Sequence, residues 1–241
     1  MRRVEAFNKA LYDLNPNKNK GFEIKNVDGK LEAFIYGDIG EWSVNALDFV
    51  NELRNFNGQD FDLHINSPGG FVNEGITIYN AIKQYPGNVT AYVDGQAASA
   101  ASFIAMAADK IVIAKTGQMM IHDALSVSVG NWREMEADME MLKTQSNRIA
   151  GIYADRAGGT NQEWLDRMAE EPVYIGQEAV DIGLADEVYG EVPSQNRSLM
   201  STVLAASATP VVVEQQVQDE FAWLSDVDLS SALTNAFKEA S

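Results

Sequence analysis

No cysteine occurs in the 241 residues, which excludes disulfides, thiolate catalysis and cysteine-ligated zinc or iron-sulfur sites. Histidine is nearly as scarce: His64 and His122 are the only two, so a general base has few candidates. Lysine and arginine number 18 against 35 acidic residues, and the resulting charge of −17 repels nucleic-acid phosphates. No basic patch with interleaved aromatics offsets that charge, so nucleic acid is not expected as a partner. Long apolar runs are missing as well, and nothing in the sequence is long enough to span a bilayer. The opening Met1-Arg-Arg-Val-Glu-Ala-Phe has no apolar core of a signal peptide, so the expected setting is the cytoplasm, away from membranes. The phosphate loop GxxxxGK[ST], the dinucleotide fingerprint GxGxxG and the zinc motif HExxH are all absent. So is a G-x-S-x-G elbow around Ser99, which argues against an α/β-hydrolase.

What is present is enough apolar material, 46% of the residues, to bury a sizeable core, read as one domain with appendages. Residues 1–20 form a basic arm, with Arg2, Arg3, Lys9, Lys18 and Lys20 against Glu5 and Asp13. Phe22-Glu-Ile-Lys25 and Leu31-Glu-Ala-Phe-Ile-Tyr36 alternate on either side of Asp28-Gly29, a hairpin signal. Ser43 is expected to cap a helix with Leu47, Val50 and Leu53 at helical spacing, and Phe61-Asp-Leu-His-Ile65 to be a strand. Asn66-Ser-Pro-Gly-Gly70 then turns sharply into a helix with Ile76, Tyr79 and Ile82 in period, stopped by Pro86. The same pattern of strand, tight turn and helix repeats over Val89–Val93 and Ala100–Ala108, and Lys110–Ala114 and Gln118–Ile121 add two strands. This alternation predicts a layered α/β domain with a mostly parallel sheet, in which sites form at the carboxyl ends of strands.

From Asn131 to about Ala157 the chain reads as a long helix with Met135, Met139, Leu142, Ile149 and Ile152 on one side. Its Glu134, Glu136, Asp138 and Glu140 are read as a solvated face suited to the helix dipole rather than as a metal site. Gly158-Gly-Thr160 starts another helix through Trp164 and Met168. Residues 191–241 shift to Ser, Ala, Val and Gln and read as a linker with a short interaction helix, or a partly disordered extension.

Three polar features fall at strand ends and can converge: Asn66–Gly70, Asp94–Ser99 and His122. Ser99 lies where a strand gives way to a helix, so free N–H groups and the dipole favour negative charge beside it. Taken alone it reads first as an N-cap serine. His122 ends an apolar strand, whereas His64 is read as structural.

Taken together, Asn66-Ser-Pro-Gly-Gly70, Gly95-Gln-Ala-Ala-Ser99 and Met120-Ile-His122 closely resemble the ClpP family of serine peptidases. The resemblance continues through Glu178-Ala-Val-Asp-Ile-Gly-Leu-Ala-Asp186 and covers about residues 31–190. It implies a ClpP/crotonase-like fold over 21–190, with Ser99 as nucleophile and His122 as general base and then acid. The backbone N–H groups of Gly70 and Ala100 would hold the oxyanion, and Gly70-Phe71-Val72 and the chain after His122 would pair with an extended substrate as added strands. The third triad member is implied at Glu171, where the family has aspartate, with Glu170, Asp166 and Asp123 as alternatives. No metal or organic cofactor is implied.

Tyr36-Gly-Asp-Ile-Gly40, the Ala-rich Ser99–Asp109 and the acidic long helix look most like the ClpP-related proteases of tailed phages and prophages. That likeness implies an ATP-independent endopeptidase that processes phage capsid or scaffold proteins in prohead maturation, assembled as a ring-forming homo-oligomer through the long helix. The alternatives are a chamber subunit working with an AAA+ ATPase, a non-catalytic assembly scaffold on the same fold, and a crotonase-type acyl-CoA enzyme. His122-Asp-Ala124 in place of the His-Gln-Pro of housekeeping members sets this chain apart from an ordinary ClpP subunit.

Overall fold

The computed structural model describes residues 21–189 apart from 28–29 and 41–42. The basic arm over 1–20 and the tail over 191–241 lie outside the described residues, as does the Asp28-Gly29 turn. Fourteen elements follow in chain order: β1 (Phe22–Val27), β2 (Lys30–Ile35), α1 (Ala46–Asn55), β3 (Phe61–Ser67), α2 (Val72–Lys83), β4 (Val89–Ala98), α3 (Ala100–Ala105), β5 (Lys110–Ala114), β6 (Gln118–Met120), α4 (Trp132–Ala157), α5 (Asn161–Ala169), β7 (Val173–Ile175), α6 (Gln177–Asp181) and β8 (Glu187–Tyr189).

The sheet runs β1-β2-β3-β4-β5-β8, with β6 branching from β4 and β7 from β6. Every pair from β2 to β8 along that path is parallel, and only β1 and β7 run against their neighbours. The mostly parallel α/β sheet expected from the sequence is therefore present. Alternation sorts its faces: Leu63, Ile65, Ala91, Val93, Ile111 and Ile113 are completely buried, and the intervening positions carry His64, Tyr92 and Asp94 on the other side. Each large apolar side chain so removed from water contributes about 1.5–3 kcal/mol.

Helix α2 crosses α3 at Gly75, where a Cβ would come within 2.8 Å of the Phe103 ring. The buried face of α1 is Ala46, Phe49 and Leu53: Leu53 is buried as expected, whereas Leu47 points to solvent and Ala46 and Phe49 take the places expected of Leu47 and Val50. Its cap is corrected too: Asn45, not Ser43, accepts from the N–H groups of Leu47 and Asp48. The long helix α4 matches its expected bounds, and a capping box between Asn131 and Glu134 opens it. Its Ile149, Ile152 and Tyr153 are buried, while Met135 and Met139 near its start stay about half exposed. Three of its acidic residues have local partners: Glu134 serves the cap, Asp138 accepts from Ser128 and Glu140 pairs with Lys143. Among the described residues no helix is long and apolar enough to cross a membrane.

Candidate active site

Strand β4 organises the site because it changes partners along its length. Its first half, Thr90–Val93, pairs with β5, and its second half, Gln96–Ala98, pairs with β6. Between them the register against β3 shifts, from Ile65↔Val93 to Ser67↔Ala97, so β4 carries extra residues at the step. The Asn66 side chain stabilises that bulge by accepting from Gln96 N–H at 3.2 Å, and Gly95 is needed because a Cβ there would lie 2.6 Å from Asn66 Oδ1.

Register then brings together residues that are far apart in sequence. In the parallel β4–β6 ladder Ala98 faces Met120, and Ser99 N–H donates to Met120 O at 2.9 Å, so the chain leaving β6 runs beside the nucleophile. Two residues on, His122 Nε2 lies 2.7 Å from Ser99 Oγ. In the antiparallel β6–β7 ladder Met120 faces Val173, and Ile121 N–H reaches Pro172 O at 3.4 Å. Continued by one step, that register sets Glu171 across from His122. Ser99 and His122 thus meet just past the carboxyl ends of β4 and β6.

Ser99 has φ 52° and ψ −122°, and Glu171 has φ 50°. Such conformations are unfavourable for L-residues and persist only when the surroundings impose them, which happens most at functional sites. The Glu171 side chain is exposed. Among the described residues no carboxylate is hydrogen-bonded to His122: Asp166 instead accepts from Gln162 on its own helix, and Asp123 and Glu170 are exposed.

The Gly69-Gly70 turn sits against the nucleophile. A Cβ on Gly69 (φ 97°) would meet Ser99 Cβ at 2.5 Å, Ala98 O at 2.6 Å and Ala100 N at 2.8 Å. On its other side the turn is held by the loop after β2: Ile39 N–H donates to Gly69 O at 2.7 Å and Phe71 N–H to Ile39 O at 2.8 Å. In a parallel bridge of this kind the flanking peptides face the partner, which leaves the N–H of Gly70 itself directed away from Ile39. Ala100 opens α3, where first-turn N–H groups have no acceptor within the helix. Buried Ser67 locks the loop to the turn, donating to Gly37 O at 2.6 Å and accepting from Gly69 N–H at 3.1 Å. Ile39 and Ser67 lie within the motifs Tyr36–Gly40 and Asn66–Gly70, but their role as a template for the turn depends on tertiary register rather than on residue type.

Phe71 and Val72, expected to pair with substrate, sit where the turn enters α2. The Phe71 N–H is taken by Ile39 and its carbonyl accepts from Gly75 N–H at 3.0 Å, while Val72 is the first residue of α2. The N–H of Val72, in the first turn of α2, has no acceptor within the helix.

His64 has partners that suit a structural residue. It is stacked between Phe34 and Tyr92, with ring centroids at 4.9 and 5.1 Å, and its Nδ1 lies 2.8 Å from Asp94 Oδ2. Asp94 also accepts from Tyr36 at 2.6 Å and Tyr189 at 3.0 Å. Burial alone would lower the His64 pKa, but the hydrogen bond and charge of Asp94 outweigh it and raise the value. Burial alone would raise Asp94, and its bonds from His64 and Tyr36 hold the carboxyl below its ordinary value instead.

The sequence has counterparts among known proteins. The sequence model described as Clp protease matches residues 42–192. An ATP-dependent Clp protease proteolytic subunit 2 of Cutibacterium acnes is 28% identical over 174 residues, covering 68% of this chain and 82% of that protein. A subunit of the same name, without the number, from Ligilactobacillus salivarius is 30% identical over 161 residues, 64% of this chain and 80% of its own length. One from Chlorella vulgaris is 31% identical over 128 residues, 52% and 64% respectively. The α/β fold is consistent with that family, the match spans well over half of the sequence, and the chain belongs to the Clp protease family as a peptidase of the serine type.

Proposed function

We propose that the chain cleaves polypeptides internally with Ser99 as nucleophile, His122 as general base and then acid, and Glu171 as the carboxylate that orients the imidazole. The observation that carries this reading is the 2.7 Å hydrogen bond between Ser99 Oγ and His122 Nε2. For Nε2 to take the hydroxyl proton, the ring's own proton sits on Nδ1, the side an orienting carboxylate serves. Ser99 Oγ attacks the scissile carbonyl as its proton passes to His122, and the imidazolium then protonates the leaving amine. Water repeats the sequence on the acyl-enzyme. The N–H groups of Gly70 and Ala100 stabilise the tetrahedral oxyanion, each worth on the order of 3 kcal/mol. For Glu171 the supporting fact is its place opposite His122 in the continued register.

In biological terms the proposal is processing of phage capsid or scaffold proteins during prohead maturation, without ATP, by a ring of identical subunits that also trims its own tail. The likeness of Tyr36–Gly40 and Ser99–Asp109 to phage proteases supports it. A second reading, a chamber subunit fed by an AAA+ unfoldase, is favoured by the printed names of the relatives, which are ATP-dependent proteolytic subunits. Digestion of a phage scaffold protein and of a stably folded protein, each with and without an unfoldase and ATP, separates the two. The prohead reading expects scaffold cleavage without nucleotide. The chamber reading expects folded substrate to disappear only with unfoldase and ATP. If Ser99→Ala digests either substrate as wild type does, both readings fall.

A further inference from the structure

Two buried hydroxyls lie behind the nucleophile, on Ser102 of α3 and Tyr153 of α4. They are 2.7 Å apart. Ser102 Oγ–H donates to the carbonyl oxygen of Ser99 at 2.5 Å, and the same oxygen accepts from Ser102 N–H at 3.0 Å. Because the one hydroxyl proton of Ser102 is engaged on Ser99, Tyr153 must be the donor in the bond between them. Burial pushes the Tyr153 phenol well above its ordinary pKa, against a smaller lowering by Ser102, so the phenol keeps the proton it donates.

The carbonyl at the end of this chain belongs to a particular peptide. Ser99 C=O and Ala100 N–H are the two ends of one planar trans unit and point in opposite directions. Anchoring the oxygen toward α4 therefore aims the N–H away from α4. Rotation at Ser99 ψ would redirect both, and Ser99 already holds an unfavourable conformation that needs restraint. Two hydrogen bonds on the oxygen also polarise the amide and make its N–H a stronger donor.

We propose that Tyr153 and Ser102 are positioning residues for peptide hydrolysis, their hydroxyl chain holding and polarising the Ser99–Ala100 peptide so that Ala100 N–H meets the developing oxyanion. The proposal rests on the reading of Ser99 as nucleophile and of Ala100 as an oxyanion donor. It also makes α4 part of the active-site support.

The test compares full-length wild type, Tyr153→Phe, Ser102→Ala and the double variant for kcat and KM on a fluorogenic peptide. Affinity for a peptide boronate, whose tetrahedral adduct places an anionic oxygen in the hole, and thermal melting are measured on the same proteins. Tyr153→Phe is expected to lower kcat about tenfold and boronate affinity in parallel, short of the roughly 10²–10³-fold expected for loss of a donor itself. KM stays within about twofold, since ground-state binding is untouched. Adding Tyr153→Phe to Ser102→Ala is expected to change kcat no further, because the phenol acts only through Ser102. Variants with wild-type kcat and boronate affinity overturn the proposal, and so do additive losses or losses that only follow the melting temperature. A wild type that neither hydrolyses peptide nor binds boronate points instead to failure of the Ser99 reading on which the proposal stands.

Discussion

A side chain at Gly70 would place its Cβ 2.0 Å from Ile39 O and 2.8 Å from Ile39 N, and its backbone sits at φ 152°. Neither obstacle is flexible, because Ile39 is itself bound on both sides of the turn. Gly70→Ala is therefore expected to displace the turn, lowering kcat by about 10²-fold or more as an oxyanion donor moves away. Peptide turnover of the purified variant checks this, and wild-type turnover would separate Gly70 from the hole. At His64 and Asp94 the residue scale predicts a pH dependence of stability. The raised His64 pKa gives a contribution fully present below its ordinary value of 6.5 and lost as pH rises through the raised value. The lowered Asp94 pKa gives one present above its ordinary 3.8 and lost as pH falls through the depressed value. The pair thus stabilises most between those limits, and Asp94→Asn should lower the melting temperature more at about pH 5.5 than at about pH 8.5. An equal loss at both would show that the ion pair adds nothing beyond the hydrogen bonds.

At the scale of elements, the site is made by register. The bulge in β4 and the β4–β6 ladder together bring residues 99 and 122 to one place, and the β6–β7 ladder runs the chain that leaves residue 171 alongside. Helix α5 sets where the approach to β7 begins, and its capping box joins Thr160 and Glu163 reciprocally. Thr160→Ala should cost about 1 kcal/mol of stability, visible in denaturant unfolding, with peptide turnover little changed. Much of this level was legible in the sequence: the strands of alternating residues, the two turns at Asn66–Gly70 and Asp94–Ser99, and the long helix between Asn131 and Ala157. What misled was local. Ser43 and Asn45 are both good caps two residues apart, and the packed face holds Ala46 and Phe49 rather than Leu47 and Val50. Tyr153 hides among the apolar residues of α4, and its role emerges only once α3 packs across it and sets Ser102 within 2.7 Å. No local pattern encodes that meeting, because 51 residues separate the two.

For the whole molecule, the exposed start of α4 and the segment before it are conspicuous. Leu125, Val127, Val129, Trp132, Met135 and Met139 all keep about half or more of their surface in water. In the proposed ring this stretch meets another subunit. Met135→Glu combined with Met139→Glu should reduce the assembled mass seen by analytical ultracentrifugation while leaving the monomer's helical content unchanged. Retention of the full assembly would move the interface elsewhere. The net charge of −17 does not oppose such contacts at physiological salt, where charges more than about 8 Å apart are largely screened. The central claim, that Ser99 and His122 act together on a carbonyl, is tested most directly by labelling the assembled protein with a fluorophosphonate and locating the adduct by peptide mass. The account predicts wild-type labelling on Ser99 alone, none in Ser99→Ala and a loss of at least about 10³-fold in rate in His122→Ala. Assembled wild type that stays unlabelled, or labelling in His122→Ala at the wild-type rate, would contradict it.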